Sequence, residues 1–188
     1  MPMNLIHRRI CSSPKWAAAV RDRMPGFLAG TPLGDDVLEI GPGFGATTRA
    51  MVDHLPALTC VEIDPASVER LRAEFGDRVD VVLGDGAALP FPDGRFSAVV
   101  CFTMLHHVPS AQQQDALFAE AARVLRPGGV FAGLDSQPSL RFRFLHIGDT
   151  MTVVDPATLP GRLGRAGLVD VAVTRAPGQV LFSAYRPV

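Results

Sequence analysis

Five short apolar segments, separated by longer amphipathic stretches, constrain the fold of this chain more than any other feature. They run over residues 37–40, 58–63, 79–83, 96–102 and 129–134. The segments are apolar almost throughout rather than alternating, as in strands that are covered by helices on both faces. The alternation of strands and helices predicts an α/β fold with a parallel, doubly wound sheet.

The C-terminal part departs from this alternation. A helix is predicted to follow Ser110 and to end at Pro127-Gly128-Gly129. Further on, residues 169–174 and 179–185 have strand character, and a Pro177-Gly178 turn joins them closely. Two strands connected so closely must be antiparallel neighbours, so we expect a terminal hairpin.

Composition narrows the class of protein. A length of 188 residues with 47% hydrophobic content predicts a single domain. A net charge of -1 gives no general signal for binding nucleic acid. The three cysteines lack metal-ligand spacing and favour reduced residues in a cytoplasmic protein. We expect no membrane span and no signal peptide, since no apolar run is long enough.

The segment VLEIGPGFGATT, residues 37–48, links the first strand to a helix and fits two glycine patterns. Gly41-x-Gly43-x-x-Ala46 matches a dinucleotide fingerprint, whereas an acid followed by Gly41-x-Gly43-x-Gly45 fits a different ligand. Glu39 favours the second, because a carboxylate roughly 5 Å from a phosphate costs about 3 kcal/mol at an effective dielectric of about 20. A zwitterionic amino-acid ligand is therefore preferred over a pyrophosphate.

Two further acids end the second and third predicted strands. The carboxylate of Glu62 can accept hydroxyl protons from a ribose, which does not discriminate between the two ligand classes. Asp85 can accept from an exocyclic amino group, and the backbone N–H of Ala87 can donate to an adenine ring nitrogen. Taken singly, each acid is as readily a helix cap or a solvated loop residue. Together, at corresponding strand ends, they predict one crevice.

With these residues the chain resembles the class I S-adenosylmethionine-dependent methyltransferases. The resemblance implies a seven-stranded sheet in the order 3-2-1-4-5-7-6 with the antiparallel hairpin at its end. It also implies that Glu39, Gly41, Gly43 and Gly45 surround the methionine part of the cofactor, and that its product is S-adenosylhomocysteine. The full set of implied cofactor residues is Glu39, Gly41, Pro42, Gly43, Gly45, Glu62, Ile63, Asp85, Gly86, Ala87 and Phe102.

Two further stretches, LPFPDGRFSAVVC and EAARVLRPGGVF, resemble the small-molecule branch that includes quinone-biosynthesis C-methyltransferases. The resemblance divides the chain into an N-terminal helical arm or lid at 1–30, a cofactor-binding half at 31–135, and a substrate-side segment with the hairpin at 136–188. The predicted function is methyl transfer to a small aromatic or lipophilic acceptor. A non-catalytic cofactor-binding regulator of the same fold and an NAD-dependent dehydrogenase are the alternatives.

VLEIGPGFG and VEIDP also resemble RNA adenine dimethyltransferases. Those enzymes carry an Asn-Leu-Pro-Tyr type motif after the fourth strand. Residues 101–108, CFTMLHHV, lack that motif, and no basic C-terminal domain is expected. A small-molecule partner is therefore predicted, with no nucleic acid.

His106 and His107 follow the fourth predicted strand at the ligand edge. Histidine titrates in the range useful for a general base, so either residue is a candidate, although packing against the loop is the simpler explanation. No metal site is predicted, because adjacent histidines should diverge and no third ligand is spaced to join them.

The acceptor pocket must come from the remaining segments, the arm and residues 136–156. In the arm, Ser13 is the predicted N-cap of a helix that carries Trp16, and this helix either closes over the cofactor or caps the sheet edge. The second segment alternates basic and aromatic side chains, which fits either an aromatic pocket with anion-binding arginines or an amphipathic segment packed on the core. These side chains are Arg141, Phe142, Arg143, Phe144 and His146.

Overall fold

A computed structural model describes residues 4–188, apart from the side chain of Arg141. Its centre is a seven-stranded sheet in the order β3-β2-β1-β4-β5-β7-β6, which confirms the predicted fold class and strand order. The strands are β1 Asp36–Ile40, β2 Ala57–Glu62, β3 Asp80–Leu83, β4 Phe96–Phe102, β5 Leu125–Ser136, β6 Val169–Ala176 and β7 Gln179–Tyr185.

The first five strands are parallel, and the last two reverse direction. β1 lies at the centre, where Glu39 pairs with Cys60 of β2 and with Val100 of β4. β7 runs antiparallel to both β5 and β6, so the predicted terminal hairpin is confirmed. Because β1 to β5 are parallel, their carboxyl ends meet at one edge of the sheet, which is where ligands bind in folds of this type.

Seven α-helices cover the sheet. They are α1 Leu5–Cys11, α2 Pro14–Gly30, α3 Ala46–Met51, α4 Pro65–Phe75, α5 Ala111–Val124, α6 Leu140–Leu145 and α7 Leu159–Arg165, with 3₁₀ turns at Gly76–Arg78 and Leu105–His107. Strand alternation divides the core into two layers. Val99 and Cys101 of β4 pack with α5 and α7, whereas Ala98 and Val100 pack with α2, α3 and α4.

The helix after Ser110 ends earlier than predicted. α5 stops at Val124, and the Pro127-Gly128-Gly129 sequence lies inside β5, where the pairing with β4 shifts register. The reason is local, because a proline disfavours helical backbone in the residue before it. A Cβ on Gly129 would lie 2.9 Å from the Ser97 carbonyl oxygen, so the strands approach closely at this irregularity.

The arm contains two helices rather than the single one predicted. Ser13 is the N-cap of α2 as expected, and its hydroxyl accepts from the Trp16 amide at 3.2 Å. The additional helix, α1, is capped by Asn4, whose side chain accepts from the His7 amide at 2.9 Å. Seven residues are too few to show helical periodicity. None of the helices within residues 4–188 combines the length and apolar character that crossing a membrane requires.

Candidate functional site

A cavity of about 360 Å³ opens at the carboxyl ends of the parallel strands. The segments that follow β1, β2, β3 and β4 form one part of its wall, and the arm together with α6 forms the other. Its size is within the range of small-molecule and cofactor sites. Of the three acids predicted to converge on one crevice, Glu62 and Asp85 line this cavity, whereas Glu39 does not.

The glycine loop supplies one wall of the cavity. Gly41 and Gly43 have φ of 69° and 56°, a region that favours glycine, and both line the cavity together with Pro42. Apart from Gly43 itself and its two neighbours in the chain, no atom of the described structure lies within 4 Å of the position that a Cβ on Gly43 would take. Gly45 lies behind the wall, where its Cβ would come within 2.8 Å of Leu71 on α4. A ligand can thus approach the loop backbone at Gly43.

Glu39 lies beneath this loop and is not part of the cavity lining. Its carboxylate is 1% exposed and accepts from the hydroxyls of Thr47 and Thr48, the latter at 2.6 Å. Burial raises the pKa of the Glu39 carboxyl. Thr47 does line the cavity, so Glu39 reaches the ligand space through this hydroxyl.

Glu62 lines the cavity and fixes the loop. One carboxylate oxygen accepts from the Gly43 amide at 2.9 Å, and the other accepts from the amides of Ile63 and Asp64 at 2.9 and 3.0 Å. A carboxylate offers about four acceptor positions. Three are occupied by the backbone, so Glu62 retains about one for a ribose hydroxyl, rather than the two that its sequence position suggested.

The segment after β3 forms the floor of the same region. Asp85, Gly86 and Ala87 line the cavity, and the Asp85 carboxylate accepts from the Ala87 amide at 2.9 Å. The N–H predicted for an adenine nitrogen is therefore bonded within its own turn. A Cβ on Gly86 would lie 2.8 Å from Ile40, which requires glycine here. Ile63, 51% exposed, and Phe102 complete the lining.

His106 is buried in a fixed orientation at the opposite end of the cavity. Its ring Nδ1 donates to Asp135, and its backbone amide donates to the same carboxylate at 2.9 Å. Asp135, on β5, is 1% exposed and also accepts from the Ser136 amide at 2.6 Å. With Nδ1 engaged, Nε2 of His106 is the ring nitrogen that can accept a proton.

His107 also lines the cavity, but in a different environment. Burial and the neighbouring histidines lower the pKa of His107 to about 2, so its ring is neutral. The expectation that His106 and His107 diverge is wrong, since their ring centroids are 4.2 Å apart. They belong to the 3₁₀ turn Leu105–His107, where successive side chains are about 120° apart rather than opposite.

No third ligand was expected beside His106 and His107 from sequence spacing, but two further imidazoles lie close to His107 in the structure. His7 from α1 and His146 after α6 present ligand atoms that lie, with one from His107, within 4.8 Å of one another. Sequence spacing could not show this, because the three residues are on segments that are distant in the chain.

The substrate-side segment contributes one helical face. Phe142 and His146, four residues apart, line the cavity, whereas Phe144 is 72% exposed. The alternation of basic and aromatic residues thus falls on a helix, where only one side faces inward. Trp16 and Val20 of α2 line the cavity as well, and the Arg141 side chain lies outside what is described. Sequence analysis missed His7 and Asp135, which belong to no recognisable motif.

Comparison with known proteins identifies the family. Residues 38–133, just over half of the chain, match the family described as "Methyltransferase domain". The chain therefore belongs to the class I S-adenosylmethionine-dependent methyltransferases, and S-adenosylmethionine is the cofactor of that family. The predicted family and cofactor class are confirmed.

Several relatives refine this result. The chain is 34% identical over 146 residues to 27-O-demethylrifamycin SV methyltransferase of Amycolatopsis mediterranei, covering 73% of this chain and 46% of that protein. It is 35% identical over 104 residues to demethylmenaquinone methyltransferase of Tropheryma whipplei, covering 54% and 42%. Ribosomal RNA small subunit methyltransferase A of Cupriavidus pinatubonensis is 51% identical over 67 residues, covering 35% and 23%. The matches thus span less than half the length of each relative.

A solved structure supports the fold over the whole chain. A chain in the complex between the Haloferax volcanii Trm112 methyltransferase activator and a methyltransferase superposes with a TM-score of 0.75 at 20% identity, covering 100% of both chains. At this level of identity the likeness shows the architecture only.

Proposed function

We propose that this protein transfers a methyl group from S-adenosylmethionine to a small aromatic or lipophilic acceptor. The observation that carries the proposal is a single cavity with two unlike ends. One end consists of the glycine loop and two strand-end acids, and the other consists of imidazole and aromatic rings. Two relatives are named for small molecules, rifamycin SV and menaquinone, which supports a small-molecule acceptor over RNA.

The cofactor residues proposed from the sequence fit this cavity with two refinements. Gly41, Pro42 and Gly43 would face the methionine part of the cofactor. The open space beside Gly43 would let this part contact the loop backbone. Glu62 would hold one ribose hydroxyl. The proposed adenine contacts are Ile63, Asp85, Gly86 and Ala87, and Phe102 at the end of β4 lines the same cavity. Glu39 would act on the amino group through Thr47, while Gly45 shapes the loop.

Of the two candidate bases, His106 has the better geometry. Asp135 holds the ring through Nδ1 and leaves Nε2 to accept a proton from an acceptor hydroxyl or activated carbon, as the third group of a catalytic triad orients its histidine. S-adenosylmethionine, when bound, supplies an electrophilic methyl group on a sulfonium. The chain contributes mainly orientation, which is worth roughly 7–11 kcal/mol in well-aligned reactions. The low pKa of His107 makes it a weak base.

The first experiment measures binding and turnover separately. We expect S-adenosylhomocysteine, and not NAD, to raise the melting temperature, because a ligand that binds only the native state stabilises it. A panel of phenols, hydroquinones and short RNAs is then incubated with methyl-labelled cofactor. Methylation of a phenolic or quinol compound supports the proposal. Binding without product across the panel favours the regulator, and labelled RNA alone would overturn the choice of acceptor.

The role of His106 is tested with three variants. His106→Gln and Asp135→Asn should both lower kcat with little change in the dissociation constant for S-adenosylhomocysteine. His54→Gln, at an exposed position between α3 and β2, is the control and should keep the wild-type kcat. If His106→Gln retains the wild-type kcat, His106 is not the base.

A further inference from the structure

Four of the five histidines of the chain gather at one end of the cavity. The ring centroids of His7 and His146 are 4.3 Å apart. The ring centroid of His107 lies 5.1 Å from that of His7 and 5.5 Å from that of His146. His106 completes the group at 4.2 Å from His107. The four come from α1, the turn after β4 and the end of α6, so the fold brings separate segments together to form this cluster.

Two of these imidazoles are held by acceptors on one nitrogen. Nδ1 of His7 lies 2.9 Å from a carboxylate oxygen of Asp149, and both side chains are at most 5% exposed. Nδ1 of His146 lies 2.7 Å from the carbonyl oxygen of Phe142. A carbonyl can only accept, so Nδ1 of His146 carries the hydrogen and Nε2 carries a lone pair. The Asp149 carboxylate imposes the same tautomer on His7.

One outward-facing nitrogen of the cluster has no hydrogen-bond partner. Nε2 of His146 is buried and makes no hydrogen bond within the described part of the chain. A buried, unpaired nitrogen acceptor costs about 1–3 kcal/mol. Histidines that ligate metals show this arrangement, in which the second nitrogen donates to a carboxylate or a backbone carbonyl. The hydrogen bonds at Asp149 and Phe142 therefore orient two rings as ligands rather than as simple core residues.

We propose that His7, His107 and His146 bind a divalent transition metal ion of the zinc class. One ligand atom from each residue lies within 4.8 Å of the others. In a tetrahedral zinc site with bonds of roughly 2.0–2.1 Å, ligand nitrogens are about 3.4 Å apart. The rings would draw together by about 1 Å around the ion. Three imidazoles are a donor set that suits zinc, whereas calcium and magnesium prefer oxygen ligands.

The ion would have two consequences for the molecule. His7 is on the arm, so coordination of the ion by the three histidines would hold α1 against the turn after β4 and the end of α6. Zinc sites with three protein ligands keep a fourth position open, and all three histidines line the cavity. An oxygen or sulfur atom of the acceptor could occupy that position, an extension that rests on the proposed function.

The test begins with the whole chain freed of metal by a chelator. Zinc is titrated by calorimetry, and metal content is measured by plasma mass spectrometry. We expect one ion per chain and a higher melting temperature. His7→Gln and His146→Gln should each weaken zinc binding at least about 100-fold, and Asp149→Asn should weaken it about 10- to 100-fold. His54→Gln is the matched control, since His54 is exposed between α3 and β2 and should bind zinc as the wild type does.

A second readout keeps the test independent of activity. Cobalt substitution should give visible absorption bands that disappear in the His7 and His146 variants, and zinc should protect the arm from proteolysis. Binding of S-adenosylhomocysteine by each variant verifies its fold. Wild-type zinc affinity in both variants, or no binding by the wild type, overturns the proposal. Zinc binding without any methylated product leaves the metal site standing and rejects the proposed function.

Discussion

Glu62 connects the glycine loop to the end of β2 through hydrogen bonds. Replacing its carboxylate by an amide tests whether these bonds hold the loop in place. Glu62→Gln keeps the volume but leaves one accepting oxygen. The better orientation keeps the bonds from the Ile63 and Asp64 amides and turns the NH₂ group toward the Gly43 N–H. One hydrogen bond to a charged acceptor is lost. We expect the free energy of unfolding of the ligand-free protein to fall by about 1.5–3 kcal/mol.

The same substitution should weaken cofactor binding. Without the bond to Glu62, the Gly43 backbone is ordered only on binding, and the remaining acceptor position for ribose loses its charge. We expect the dissociation constant for S-adenosylhomocysteine to rise roughly 10- to 100-fold, since about 1.4 kcal/mol is tenfold. Urea unfolding gives the stability, and calorimetry gives the affinity.

Glu69→Gln is the matched control for this prediction. Glu69 is exposed on α4, and its carboxylate lies 3.4 Å from Arg72. Exposed pairs of this kind contribute about 0.2–1 kcal/mol, so stability should change little and affinity not at all. If Glu62→Gln leaves both quantities at their wild-type values, the loop is not held by charged hydrogen bonds. A loss of stability with unchanged affinity would reject the ribose role alone.

Three further predictions concern the scaffold. Ser97→Ala should lower the free energy of unfolding by about 1–3 kcal/mol without changing cofactor affinity, because the buried hydroxyl bonds to Leu33 and Asp36 at the edge of the sheet opposite the cavity; unchanged urea stability would contradict this. Gly133→Ala should abolish soluble expression or cooperative melting, since its Cβ would meet a backbone carbonyl oxygen of β4 at 2.2 Å. Asp64→Ala should lower the free energy of unfolding by about 0.5–2 kcal/mol at neutral pH, because α4 loses its N-cap. The Ser67 hydroxyl lowers the pKa of the Asp64 carboxyl, so this contribution is present above its unfolded pKa of about 3.9 and is lost as pH falls through the folded value; a difference that persists in strong acid would refute the assignment.

The proposed cofactor end of the site was predictable because its residues lie at the ends of strands. Gly41, Glu62 and Asp85 each lie within two residues of the last residue of a parallel strand, and parallel strands present these ends at one edge. Sequence order and the apolar pattern were sufficient to bring them together. The terminal hairpin followed in the same way from a two-residue connection.

The sequence predicted at which edge of the sheet a residue lies better than it predicted whether its side chain is buried or faces the cavity. Glu39 is on a central strand, in register with Cys60 and Val100, so its side chain points into the layer covered by α3 rather than into the cavity. The glycine pattern indicates that an acid belongs at this position, but it does not show whether the carboxylate meets the ligand or the loop. Three-dimensional packing against Thr47 and Thr48 decides this, and no spacing rule contains it.

The proposed acceptor end of the site is formed by segments that lie outside the strands of the sheet. The arm reaches the cavity because the Asn4 amide donates to Asp149 at 2.6 Å, its side chain donates to the Leu145 carbonyl at 2.8 Å, and His7 shares Asp149. These polar contacts join α1 to the region after α6, so the two segments form one cover over the histidine cluster. If the acceptor enters the cavity between these two segments, we expect its entry to require movement of the arm, because these hydrogen bonds would have to break. The glycine loop and the strand-end acids are held by the sheet and should stay in place.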